Sequence, residues 1–125
     1  MTTFNVDLEI AGPPGTAFEA VSAGVDTGST FTAAPRELLE RLGVRPLRRQ
    51  RFRLAGTRVI ENEVGEARVR LEGEEGTTPV IFNFNEPGEP VLLGALTLEQ
   101  FLLGVGPVRQ RLVPAVGLRV SRGPA

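Results

Sequence analysis

The sequence predicts a small, mainly β chain folded as a barrel or closed sheet with two short helices. Three observations carry that expectation. Apolar and polar residues alternate in short runs, glycine- and proline-rich turns separate those runs, and only two segments show helical spacing.

Phe4, Val6, Leu8 and Ile10 alternate with Asn5, Asp7 and Glu9, the period of a half-buried strand. Gly12-Pro13-Pro14-Gly15 then turns the chain. Residues 18–25 predict a second strand of small side chains, running directly into Asp26-Thr27-Gly28-Ser29. Residues 35–43 predict a short helix: Pro35 suits the first turn, Leu38, Leu39 and Leu42 share a face, and Gly43 suits the C-terminal cap. Residues 51–54 and 57–61 flank Ala55-Gly56 as a hairpin. Residues 66–71 alternate again, with Ala67, Val69 and Leu71 on one side and Arg68 and Arg70 on the other. Glu72, Glu74 and Glu75 crowd the next turn, and residues 78–84 predict a strand with Pro79 at an end or edge. Pro90-Val91-Leu92-Leu93-Gly94 reads as a buried strand stopped by glycine. A second short helix should follow, with Thr97 and Gln100 at capping-box spacing and Gly104 near its exit. Residues 108–113 and 116–120 are expected to supply closing strands, with 120–125 a frayed tail.

Composition narrows the chemistry. The 125 residues suit one domain, 1–125. They include no Cys, His, Trp or Tyr; all 14 basic residues are arginine, and Asp7 and Asp26 are the only aspartates among 15 acidic residues. Without Cys, His or Lys there is no zinc finger, no Cys–His or Ser–His couple and no Schiff-base lysine. Acid–base work must come from carboxylates, water or an oxygen-ligated metal. A net charge of −1 argues against a nucleic-acid partner. Arg48, Arg49, Arg51, Arg53 and Arg58 cluster, but Glu61, Glu63 and Glu66 follow, so the cluster reads as a solvated face. The N-terminus does not look like a signal peptide, and no apolar run approaches the ~18 residues that span a bilayer. A cytoplasmic domain with no membrane partner is expected.

A faint internal echo is present. Gly24-Val25-Asp26-Thr27-Gly28, a helix and Gly43 are matched by Val91-Leu92-Leu93-Gly94, a helix and Gly104. Both read strand, glycine turn, short helix and glycine stop. A two-fold-pseudosymmetric lobe would leave this trace, as would chance similarity of two strand–helix units.

The chemistry centres on Val25-Asp26-Thr27-Gly28-Ser29-Thr30. Alone, Asp-Thr-Gly is an ordinary Asx or β-turn. Here it ends an apolar strand, a glycine-bearing hairpin follows at a distance suited to covering it, and a second apolar strand ends in Gly94. With Leu54-Ala55-Gly56-Thr57-Arg58-Val59-Ile60 as the hairpin and Arg111-Leu112-Val113-Pro114 in the tail, most of the chain resembles the single-lobe, retropepsin-like aspartic proteases, their bacterial and archaeal branch included.

That resemblance implies a closed acid-protease β-barrel with one or two short helices and a flap hairpin. It implies that Asp26 supplies a catalytic carboxylate, Thr27 locks the loop across a dimer axis, and Gly28 lets the backbone pass close to the reacting centre. Ser29 is expected to bond the outer oxygen of Asp26. Ala55, Gly56 and Thr57 form the flap tip over substrate, and Leu92 lines the substrate channel. Two aspartates about 3 Å apart cannot both ionise, so a pair shares one proton. Asp7 lies on the polar face of a strand with no Thr-Gly after it, so each chain offers one usable aspartate and the dyad needs a homodimer. In the viral branch, a charged residue after the Asp-Thr-Gly pairs with an arginine after the second glycine; here Thr30 and Ala95 hold those places.

The expected function is therefore a homodimeric aspartic endopeptidase acting on extended peptides or proteins, without cofactor or metal. The alternative keeps the fold as a catalytically silent dimerisation or peptide-binding module. A glycosidase or carboxylate metal site is the third class, but the glutamates show no ligand spacing.

Overall fold

β1 (Asn5–Ala11) buries Leu8 and Ile10 and leaves Asn5 and Asp7 in solvent, as its alternation requires. It pairs antiparallel with β2 (Glu19–Val25), across the turn at residues 12–15. The computed structural model describes residues 4–54, 56–83, 89–106, 108 and 110–119. The remaining described elements are β3 (Thr32–Pro35), α1 (Arg36–Arg41), β4 (Arg48–Arg53), β5 (Val59–Leu71), β6 (Glu74–Asn83), β7 (Val91–Leu93), α2 (Ala95–Gln100), β8 (Leu103–Gly106) and β9 (Arg111–Pro114).

The strands follow the order β1-β2-β7-β3-β6-β5-β4, and β1 also pairs with β5. Six strands thereby close into a barrel, with β4 added as an outer strand on β5. Leu8, Ile10, Val25, Leu39, Val69, Val80, Phe82 and Leu93 fill its interior. Closure removes the exposed edges that an open sheet of this size would carry. The mainly β barrel with two short helices is thus the architecture observed.

Several elements differ from expectation, each for a physical reason. β3 was not anticipated: its four residues, Thr-Ala-Ala-Pro, are too short to show a period, and the first three are buried. The break expected between residues 61 and 66 does not occur, and β5 is one 13-residue strand. Gly65 stays within it because the Arg45 backbone approaches so closely that a Cβ would lie 2.6 Å from the Arg45 carbonyl oxygen. β6 starts at Glu74, so Pro79 is inside the strand rather than at its end. It faces Glu66 on β5, while β3 joins the opposite flank only from Val80.

Pro35 is the N-cap of α1 rather than its first helical residue. The N-cap of α2 is Gly94, not a capping-box threonine, and Thr97 lies buried in the helix body. The chain leaves α2 through Leu102 at φ +53°, and Gly104 lies in β8. Of the closing strands expected at 108–113 and 116–120, the first is met in part by β9 (Arg111–Pro114), which forms a hairpin with β8. Residues 115–119 carry no strand, and the end of the second predicted strand and the tail at 120–125 lie outside the described residues. Phe84, the predicted end of the 78–84 strand, also lies outside them.

The acidic turn is a two-residue hairpin, Glu72 at φ +51° and Gly73 at φ +78°, which suits the strand twist. Beside it, Glu75 accepts from Arg70 Nε at 2.7 Å and Arg68 Nε at 3.1 Å, and Arg70 also reaches Glu9 on β1. The hydrogen bond from Arg70, then that from Arg68, holds the Glu75 carboxyl below the usual carboxylate range. A depressed carboxyl stabilises the fold above its ordinary titration range and loses that contribution as pH falls through its folded value. The thermal midpoint of wild type should therefore exceed that of Glu75→Gln slightly at neutral pH, the two curves converging in strong acid. The pair is exposed and solvent-screened, so the difference is small.

Candidate active site

The two strands that echo each other in sequence lie side by side. β2 and β7 run parallel, with Ala23, Gly24 and Val25 opposite Val91, Leu92 and Leu93. The Asp26 amide continues this ladder by donating to the Leu93 carbonyl at 3.0 Å. Beyond it the chain turns tightly: Ser29 N–H donates to the Asp26 carbonyl at 3.1 Å, and Gly28 N–H to Asp26 Oδ1 at 3.1 Å. The triplet does form an Asx-type turn, but one mounted on the end of a barrel strand.

The second glycine turn packs behind the first. A Cβ on Gly94 would fall 2.4 Å from the Phe31 carbonyl carbon and 2.8 Å from Thr32 N, a space only glycine fits. Ala95 N–H donates to Ser29 O at 2.8 Å and Leu96 N–H to Thr30 O at 2.9 Å. Main-chain hydrogen bonds thus join the two places, Thr30 and Ala95, where the viral ion pair is missing.

Sequence reasoning missed what lies beneath. Gly94 N–H donates to Thr32 Oγ1 at 3.1 Å, Thr32 Oγ1 lies 2.6 Å from Thr97 Oγ1, and Thr97 Oγ1 lies 2.7 Å from Thr78 Oγ1. All three hydroxyls are fully buried. They tie β3, β6 and α2 to the turn that supports Asp26. Each of the three hydroxyls has at least one hydrogen-bond partner within this chain, so none is left alone in an apolar surround. Three isolated threonines up to 65 residues apart leave no local signal. Thr97→Val strands the Thr78 hydroxyl, takes one partner from Thr32 and should cost about 1–3 kcal/mol in denaturant unfolding; Thr97→Ser, which keeps the oxygen, should cost less than Val.

Asp26 is half-buried at the edge of a cleft of about 970 Å³, larger than two grooves elsewhere of about 730 and 710 Å³. The β4–β5 hairpin forms one wall through Gln50–Leu54, Ile60 and Asn62, and the barrel forms the other. Gly28, Ser29 and Leu92 line the same cleft. The neighbouring Val91 is buried, as strand alternation demands. Thr27 is exposed and does not line the cleft, and among the described residues its side chain makes no hydrogen bond within the chain. Gly56, at φ +96°, and Thr57 are exposed at the hairpin tip, away from the cleft lining. Ala55 lies outside the described residues. The Ser29 hydroxyl donates to the Phe31 carbonyl at 2.9 Å. Its single proton is therefore used there, rather than on the outer oxygen of Asp26 as expected.

The arginine cluster behaves as a solvated face: Arg48, Arg49, Arg51, Arg53 and Arg58 are exposed, and Arg49 approaches Glu61 at 3.9 Å. Among the described residues no group of three or more acidic side chains is placed to hold a metal ion. None of their helices is long and apolar enough to cross a membrane.

A six-stranded barrel with paired glycine turns and a hairpin beside the first of them is the retropepsin-like fold. Solved structures agree. The protease of simian foamy virus (mac) is 20% identical and covers 75% of this chain and 90% of its own, with a TM-score of 0.53. The retroviral protease-like domain of Ddi1 from Leishmania major is 18% identical and covers 91% of this chain and 89% of its own, with a TM-score of 0.55. No curated protein matches the sequence. The family model for aspartyl proteases matches residues 6–97, and the chain belongs to that family.

Proposed function

We propose that residues 1–125 form one aspartic endopeptidase domain that acts as a homodimer on extended peptide or protein segments. One observation carries this reading: Asp26, alone in its context, sits at the edge of a large cleft on a turn braced from behind by main-chain bonds. One chain offers one such carboxylate, and a two-fold axis beside the turn supplies the second.

In that dimer the two Asp26 carboxylates share one proton. The ionised one takes a proton from a water held between them, and the water oxygen attacks the scissile carbonyl carbon. The protonated one gives its proton to the carbonyl oxygen. Collapse of the resulting diol, with proton transfer to the amide nitrogen, releases the amine. Thr27, exposed in the single chain, would bond across the axis, and Gly28 keeps the approach to the carboxylates open. Leu92 and Ser29 would contact substrate from below. Ala55, Gly56 and Thr57 would do so from above, once the hairpin tip closes as a flap and excludes water. No cofactor, nucleic acid or membrane takes part, and the expected location is the cytoplasm. Digestion of a peptide library tests the reading: wild type should generate new termini, and a rate no faster than that of Asp26→Asn contradicts it.

A further inference from the structure

Arg36, Arg41, Arg68 and Arg70 each pair with a glutamate at the surface. The arginines of β4 are arranged differently. Arg48, Arg51 and Arg53 are exposed and make no ion pair among the described residues, and Arg49 comes only within 3.9 Å of Glu61. Across the ladder Arg49 faces Glu63 and Arg51 faces Glu61, but Glu63 is already held by Arg36. The chain as a whole carries a net charge of −1, so this positive strip is a local surplus.

β4 is also the end of the sheet. It pairs with β5 on one side, and no described strand lies on the other. Leu54 N–H donates to the Arg58 carbonyl at 2.8 Å, which fixes the parity of this ladder. Bonded pairs alternate along antiparallel strands, so Phe52, Gln50 and Arg48 turn their main-chain groups to β5. Arg49 and Arg51 turn theirs outward, each with an N–H and a carbonyl. The cleft lining on this strand starts at Gln50, so Arg48 and Arg49 lie outside it.

An open edge of this kind is a template for another strand, and its side chains select which strand. A second copy pairing edge to edge would set arginine against arginine, which is unfavourable. Nucleic-acid phosphates accept hydrogen bonds but cannot give one to the outward carbonyls. An extended peptide supplies both donors and acceptors, and acidic residues at alternate positions fall opposite Arg49 and Arg51.

We propose that the outer edge of β4, centred on Arg49, docks an extended acidic segment of another protein, which joins the sheet as an added strand outside the cleft. Docking there does not depend on peptide-bond cleavage.

The probe is a blocked peptide alternating glutamate with threonine, and its affinity for Asp26→Asn is measured by calorimetry. In that background Arg49→Glu should weaken binding roughly tenfold. Arg111→Glu makes the same change of charge at an exposed residue of β9 and should leave affinity unchanged. If Arg49→Glu fails to fold, Arg49→Gln replaces it, with a smaller loss expected. N-methylation of the glutamate nitrogens or of the threonine nitrogens keeps the peptide's charge. One of the two should abolish binding and the other be tolerated, because only one set faces β4. Arg49→Glu in otherwise wild-type protein should cleave an uncharged peptide at the wild-type rate.

No binding of the probe overturns the docking edge, and so does an equal loss in Arg49→Glu and Arg111→Glu, which is diffuse attraction. An equal response to the two methylations overturns strand addition. Tighter binding of a thymidine oligonucleotide overturns the choice of partner, as does self-association that Arg49→Glu abolishes. Slower cleavage of the uncharged peptide by Arg49→Glu overturns the separation of this edge from the cleft. Binding as expected with no cleavage by wild type upholds the docking edge and overturns the protease reading alone.

Discussion

Asp26→Asn should remove peptide-bond cleavage and leave the fold intact. The fold survives because the Asp26 side chain accepts the Gly28 N–H through Oδ1, and an asparagine oxygen at the same place accepts the same bond. The ladder bond to Leu93 is made by the Asp26 backbone and does not depend on the side chain. What disappears is the ionisable group. An amide cannot take a proton from water at any working pH, and in the proposed dimer both members of the pair would be lost together. General acid–base catalysis alone contributes about 10²–10⁴-fold, so kcat should fall by at least that factor. The thermal midpoint should stay close to that of wild type. A parallel collapse of midpoint and activity would instead make Asp26 a structural residue.

Gly94→Ala should produce the largest loss of stability of any single added methyl group around the site. The added Cβ meets the Phe31 carbonyl carbon at 2.4 Å, its oxygen at 2.5 Å and Thr32 N at 2.8 Å. These are main-chain atoms of the loop that carries Asp26, so no side-chain rotation relieves the contact. Overpacking of this kind costs about 1–3 kcal/mol, with fixed backbone obstacles favouring the upper end. For a chain of this size each kcal/mol lowers the thermal midpoint by roughly 3–6 °C. Activity should fall further than stability, because relieving the clash pushes apart the turn that bears Asp26 and the turn that braces it. Gly104→Ala is the control: its nearest neighbour, Ala115 Cβ, lies 3.9 Å away, and the change should be nearly silent. Denaturant titration with both variants gives the comparison.

What the sequence made legible follows from where the information lies. Alternation in β1 and the glycine stop after β7 are local patterns, and each element appears within a residue or two of its expected place. The echo between Asp26-Thr27-Gly28 and Gly94 was readable because each turn carries a glycine, although of the two it is Gly94 that leaves no room for a Cβ. The structure gives the physical cause: β2 and β7 are parallel neighbours whose turns pack against each other. Non-local facts were not readable. β3 is defined by its partners β6 and β7 rather than by a period. The Thr32–Thr97–Thr78 chain joins residues that nothing in the sequence links. Ser29 shows the limit from the other side, since its position in the motif was plain but its hydroxyl proton goes to Phe31.

The central claim is that one active site needs one Asp26 from each of two chains, and subunit mixing tests it most directly. Wild type and Asp26→Asn are combined at fixed total concentration, allowed to exchange, and assayed on one cleavable peptide. If only dimers with two aspartates cut, activity follows the square of the wild-type fraction, about one quarter of full activity at equal mixing. Activity that falls in simple proportion, to about one half, would mean that each chain works alone and would contradict the shared dyad.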